Sequence, residues 1–210
     1  MKNLEKDDMA YILICSNKYM DRKDKSLNML REHGINNVVL SDSVFIDKFP
    51  SDINERKWIG KNKKTLGCYF AHKNAISSVL KINKHVMIME DDILITHLFD
   101  ENIEEIYSVL EKEMPSMFFL SNYSHSLSGN FKFLRSPKRI TNTQCYIIHK
   151  NYKEKILSHM NLYYGAMDRI LFCYEGTKYH CKPSLVLQRG DASIIKEENK
   201  RLMDEGAWIW

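Results

Sequence analysis

The chain has 210 residues, of which 44% are hydrophobic and 11% aromatic, enough for one sizeable core and against wholesale disorder. Its 31 Lys and Arg against 27 Asp and Glu leave a net charge of +4, which argues for no nucleic-acid partner and suits an anionic small substrate. Five widely spaced cysteines without a C-x-x-C pair speak against a zinc module or disulfide framework and for a reducing compartment.

Residues 1–8 are charged and expected to be peripheral. The first apolar run, Met9–Cys15, is too short to span a membrane, and acids precede it where a signal peptide has bases. A cytoplasmic protein is expected, with no transmembrane segment and with room for peripheral contact at the inner face of a membrane. Tyr11–Cys15 reads as a buried strand. A helix over Asp21–His33 carries Leu27 and Leu30, and Gly34 stands at its C-cap. Val38–Leu40 is a second strand. Strand, helix, strand is how a nucleotide-binding α/β half opens, yet no glycine-rich phosphate loop follows the first strand.

Residues 41–62 are polar and irregular, with Pro50 and Gly60. A helix from about Lys64 to Ile82 follows, because Leu66, Tyr69, Phe70, Ile76, Val79 and Leu80 recur at three and four. His72 falls on or beside its core face. Two readings stand for it: a hydrogen-bonded core residue, the commoner, and a ligand contact.

The run His85–Ile95 is apolar except for Glu90, Asp91 and Asp92 in its middle. Such a run reads as a strand buried on both faces. Carboxylates are rarely buried unpaired, so the acids belong at the strand's C-terminal mouth, where open α/β sheets bind ligands. Three adjacent negative charges call for a cation, and oxygen ligands suit Mn2+ or Mg2+ beside substrate phosphates. A helix N-cap and solvated turn is the plainer alternative.

Asp100 reads as the N-cap of a helix ending before Pro115, with Glu101, Glu104 and Glu105 as solvated acids near its start. Met117–Leu120 is a strand, and the polar stretch 121–142 is long enough to be a functional loop. Cys145–Ile148 is a strand, 151–160 a helix, Tyr163–Gly165 a turn and Ala166–Tyr174 a helix. Asp168 near that helix start is, by itself, a first-turn acid favoured by the dipole. Lys178–Gln188 reads as two extended pieces around Pro183, and 196–210 as a peripheral tail ending Trp208–Ile209–Trp210. No repeat or linker splits the chain, so 1–210 is one domain.

In order, these segments resemble glycosyltransferase family 25, the lipooligosaccharide and collagen galactosyl- or glucosyltransferases. Thr65–His72 resembles the family's leucine-glycine-cysteine helix start, with Ala71 where serine is usual. Val86–Ile93 resembles its strand ending in glutamate-aspartate-aspartate, and Asp21–Arg22 its aspartate-arginine after the first strand. Cys145–Ile148, Ala166–Leu171 and Pro183–Val186 with Ser193 follow the order of its C-terminal third.

The resemblance implies an α/β, GT-A type nucleotide-sugar-binding fold, with a mixed, mostly parallel sheet flanked by helices. It implies a UDP-galactose or UDP-glucose donor, a glycan or glycoprotein acceptor, inversion at the anomeric carbon, and a place in glycan or lipopolysaccharide biosynthesis. It further implies a metal on Asp92 and Glu90, with Asp91 helping and His180 as a further ligand. Arg22, one of Lys61, Lys63 or Lys64 (Lys64 being the first choice), and His72 with Glu90 and Asp91 would meet the donor. Asp168 matches the family's late aspartate and would be the catalytic base. Two other functions use the same acids: metal-dependent phosphoryl transfer, which wants a second acid set that only Asp168 and Asp191 could supply, and a catalytically inactive sugar-nucleotide-binding domain.

Overall fold

The structure, a computed structural model, describes residues 8–48, 51, 57–59, 63–121, 132–135 and 143–189. Seven strands form one sheet in the order β2-β1-β4-β8-β6-β10-β7. They are β1 (Met9–Cys15), β2 (Val38–Asp42), β4 (His85–Glu90), β6 (Met117–Phe119), β7 (Lys132–Arg135), β8 (Cys145–Ile148) and β10 (Lys178–Lys182). β1 runs parallel to β2 and β4, and β6 parallel to β10. β8 lies antiparallel between β4 and β6, and β7 is antiparallel to β10. The sheet is thus mixed and mostly parallel, as expected. Two small pairs stand outside it: β3 (Lys57–Ile59) with β9 (Tyr163–Gly165), and β5 (Ile93–Ile95) with β11 (Val186–Gln188).

Helices cover both faces, and strand alternation decides which residues meet them. Tyr11, Leu13, Met87 and Met89 face α1 (Met20–Glu32) and α3 (His97–Glu113), in one core with Leu30, Phe99, Ile103 and Leu110. Ile12, Ile14, Val86 and Ile88 face the other way, toward α2 (Lys63–Ser78), α4 (Lys153–Met160) and α5 (Met167–Cys173). Burial on both faces is why β1 and β4 read as continuous apolar runs.

Three local expectations change. Asp100 is not the N-cap of α3; the helix starts at His97 after Thr96, whose backbone is extended. Thr96 Oγ1 donates to the Leu185 carbonyl at 3.1 Å, anchoring the entry. Asp100 therefore sits in the first turn, with His33 Nδ1 2.9 Å from its carboxylate. Tyr163–Gly165 is a strand, because β3, about a hundred residues earlier, offers it a parallel partner. α2 ends at Ser78 and continues to Ile82 as turns whose carbonyls Lys153 caps. Gly34 (φ 74°) follows the end of α1 as expected, and Met114 (φ 45°) closes α3 before Pro115. Of the polar stretch 121–142 only Ser121 and β7 are described. Pro50, Gly60, Lys61, Asp191, Ser193, residues 1–7 and the tail lie outside the described residues. Among the described residues, no helix is long and apolar enough to cross a membrane.

Candidate functional site

From β1 the chain crosses through α1 to β2 on one side, then returns to form β4 on the other side of β1. With α1 and α2 on opposite faces, the segments leaving the two strands diverge and open a crevice beyond their carboxyl ends. A cavity of about 200 Å³ lies there. Ser16 borders it just after β1, Glu90 and Asp91 border it at the end of β4, and Arg22 borders it from α1. Tyr19 and Phe45, both about half exposed, add aromatic surface. The wall between α2 and segment 43–46 is tight: a Cβ on Gly67 would stand 2.3 Å from the Val44 carbonyl oxygen. Only glycine permits that approach.

Glu90 is the last residue of β4 and half-buried, while Asp91 and Asp92 form the turn into β5 and are buried. Arg22 Nη2 donates to Asp91 Oδ1 at 2.5 Å and stands 3.7 Å from Asp92 Oδ2. Gln188 Nε2 donates to Asp92 Oδ2 at 2.8 Å. Asp92 Oδ1 is buried without a hydrogen-bond partner among the described residues. Burial, and then the charge of Glu90, push the Asp92 carboxyl up to about 6. Burial also raises Asp91, against the pull of Arg22. The turn is fastened from outside: Ser26 Oγ (2.9 Å) and Arg189 Nη2 (2.7 Å) donate to the Asp91 carbonyl, and the Arg189 N–H donates to that of Asp92 at 2.6 Å.

His72 projects from α2, buried, with Nε2 3.1 Å from Glu90 Oε1 and Nδ1 2.9 Å from the Tyr146 hydroxyl. It is hydrogen-bonded in the core and also borders the cavity. Cys68, one turn earlier on α2, also lines the cavity. Burial pushes its thiol well up, and Glu90, Asp168 and Asp92 push the same way. Asp168 lies in the first turn of α5, half-buried, and its Oδ1 accepts from the Arg169 N–H at 2.9 Å.

The structure therefore gathers Arg22, His72, Glu90, Asp91 and Asp92. Asp168 is not part of the cavity lining, although its charge is felt at Cys68. Lys64 is exposed on α2 and is not part of the cavity lining; Lys63 reaches the Asp47 carbonyl instead. His180 does not join the acids. It lies on β10, three strands from β4 and in register with Phe119 and Leu134, which at about 4.8 Å per strand is about 14 Å away. Pairing with β6 and β7 holds it there.

Sequence reasoning missed Cys68, Ser26, Gln188 and Arg189. For Cys68 a signal existed, since Cys68 and His72 are four apart and share a helix face. The others come from elements distant in sequence and carry no motif.

The donor set admits a divalent cation. Among the described residues, Asp92 has a buried oxygen without a hydrogen-bond partner and feels the Glu90 charge, and carboxylate oxygens suit Mn2+ or Mg2+. Among the described residues, metal-ligand side chains come within 4.8 Å of one another in threes at Cys68–His72–Glu90 and at Asp8–His85–Glu111. In the second group the Lys150 backbone N–H donates to His85 Nδ1 at 3.3 Å, so a neutral His85 carries its proton on Nε2, 3.0 Å from Glu111. The Lys150 ammonium pairs with Asp8 at 2.7 Å. Those carboxylates already have their cations and protons.

Fold and site define an α/β protein with an acidic, arginine-edged cavity at the switch point of its sheet. No family model matches the chain, and no curated protein does, so the resemblance to glycosyltransferase family 25 stays at the level of motifs. Among solved structures the chain is similar to a glycosyltransferase involved in the glycosylation of the major capsid of PBCV-1, at 11% identity and a TM-score of 0.42, over 73% of this chain and 67% of that one.

Proposed function

We propose that the chain is a metal-dependent, inverting glycosyltransferase that moves galactose or glucose from a UDP-sugar to a hydroxyl of a glycan or glycoprotein acceptor. The observation that carries this reading is the switch-point cavity, bounded by Arg22, Glu90 and Asp91, with the Asp92 carboxylate beside Arg22. Crevices of this kind bind nucleotides in α/β sheets, and the motif order resembles a family that uses such donors.

A divalent ion on Asp92 and Glu90 would neutralise the charge on the departing diphosphate. Arg22, paired with Asp91, borders the cavity and can orient a phosphate. Tyr19 and Phe45 offer faces for a base or sugar ring. Asp168 takes the proton from the acceptor hydroxyl. That oxygen attacks the anomeric carbon as the bond to the diphosphate breaks, and the electron pair leaves on the phosphate oxygen. A single displacement of this kind inverts the anomeric centre.

The test is UDP release from UDP-galactose and UDP-glucose with Mn2+, alongside calorimetric UDP binding. Asp168→Asn is expected to lose transfer by 10²-fold or more, on the order of a general base's contribution, while UDP affinity holds. Asp92→Ala is expected to lose metal-dependent turnover with the fold intact. Equal turnover in either variant removes that residue's role. Failure of the wild-type chain to bind any uridine nucleotide removes the donor assignment.

A further inference from the structure

We propose that Cys68, His72 and Glu90 form a thiolate-containing transition-metal centre of the zinc class, opening onto the cavity. The three donor atoms lie within 4.8 Å of one another, and all three residues line the cavity. Donors about 2.0–2.3 Å from a tetrahedral ion stand about 3.3–3.8 Å apart, and the 3.1 Å between His72 and Glu90 is already that close. The remaining closure is within reach of a cysteine side-chain rotation, since Cys68 and His72 project from one face of α2 a turn apart.

The surroundings match what metal-bound histidines require. With an ion on Nε2, the His72 ring proton resides on Nδ1 and donates to the Tyr146 hydroxyl, which is 2.9 Å away and buried. An outer partner of this kind fixes the ring's tautomer and orientation. Where neutral His72 holds its one proton on Nε2 against Glu90, that proton moves to Nδ1 as the ion takes Nε2, and the Tyr146 hydroxyl turns from donor to acceptor. The proton released to solvent is that of the Cys68 thiol, as the metal–sulfur bond forms. Three protein ligands with the fourth position facing a cavity is the arrangement of an open zinc site. Sulfur, nitrogen and oxygen together favour zinc-class ions over Mn2+ and Mg2+. The inference does not depend on sugar transfer, although Glu90 is common to both readings.

The full chain, reduced and stripped of metal, is titrated with Co2+ and followed by absorbance. One equivalent is expected to bind with a thiolate-to-cobalt charge-transfer band, and Zn2+ should displace it. Cys68→Ser should abolish the band, and Tyr146→Phe should weaken affinity tenfold or more. In the wild-type chain, Zn2+ should shield Cys68 from alkylation, read by mass spectrometry, so the outcome does not hang on one variant's folding. A band that survives in Cys68→Ser would overturn the proposal, as would the absence of Co2+ binding. Binding without the band, lost in Asp92→Asn but kept in Cys68→Ser, overturns it too while leaving the carboxylate site of the transfer reading intact.

Discussion

The Arg22 guanidinium stands 2.5 Å from Asp91 and 3.7 Å from Asp92, so a single cation from the start of α1 faces two consecutive carboxylates at the end of β4. Those carboxylates are buried, whereas the Arg22 side chain is about one-third exposed. Its removal strands the acids. Breaking a fully buried pair costs about 3–5 kcal/mol. Allowing for the solvent that reaches Arg22, Arg22→Met should cost about 2 kcal/mol. Adding Asp91→Asn should recover most of that, which urea unfolding at pH 7 can measure. An additive double variant would show that the two side chains are not coupled.

Gly67→Ala pits two effects against each other. In a helix interior alanine is better than glycine by about 1 kcal/mol. Here the new Cβ would lie 2.3 Å from the Val44 carbonyl oxygen, and backbone cannot yield as a side-chain tip does. Overpacking of this kind costs about 1–3 kcal/mol, so the expected sign is destabilising. Segment 43–46 carries Phe45 at the cavity edge, so UDP affinity should fall as well. A more stable Gly67→Ala chain with unchanged UDP affinity would mean the wall is not close-packed.

Lys153 gives a control away from the cavity. It is buried on α4 and donates to the carbonyls of Val79 and Ile82 beyond the end of α2. Burial lowers its pKa. Lys153→Met keeps the stem's packing and leaves those carbonyls unmet, at a cost of about 1–3 kcal/mol. Thermal unfolding should register the loss while UDP binding stays unchanged.

The parts of this arrangement legible in the sequence are those written in short-range pattern. The apolar run of β4 marks a strand buried on both faces, and acids in such a run belong at its end, where partners can reach them; there Arg22 and Gln188 meet Asp91 and Asp92, which stay buried. The period of α2 likewise puts His72 on the core side. What eluded sequence reasoning is pairing across distance. Nothing near Tyr163 announces β3 as its partner. Nothing near Gln188 announces Asp92. His180 lies away from the acids for the same reason, because the strand order that sets it about 14 Å from β4 is a property of β8 and β6 inserting between them.

Asp92 yields the sharpest pH prediction. Burial first, and Glu90 second, raise its carboxyl from an ordinary 3.8 to about 6. A raised acid contributes stability that is fully present below the unfolded value and is lost as pH climbs through the folded one. The window is therefore roughly pH 4 to 6, and above it the folded chain holds a buried charge whose Oδ1 lacks a hydrogen bond among the described residues. The gap between 3.8 and about 6 corresponds to a ceiling of about 3 kcal/mol. Asn at this position has no charge to desolvate and still offers Gln188 an acceptor. In chelator-treated protein, Asp92→Asn should thus be more stable than wild type at pH 8, by up to about 3 kcal/mol, and equal to it near pH 4. Urea unfolding of both chains at the two pH values reads the difference directly. Mn2+ should close the gap at pH 8 by stabilising the wild type alone, since a cation removes the same penalty that the substitution does. A variant less stable than wild type at both pH values would mean that Asp92 supports the fold as a charged group, and that its burial is matched by partners rather than kept for an ion.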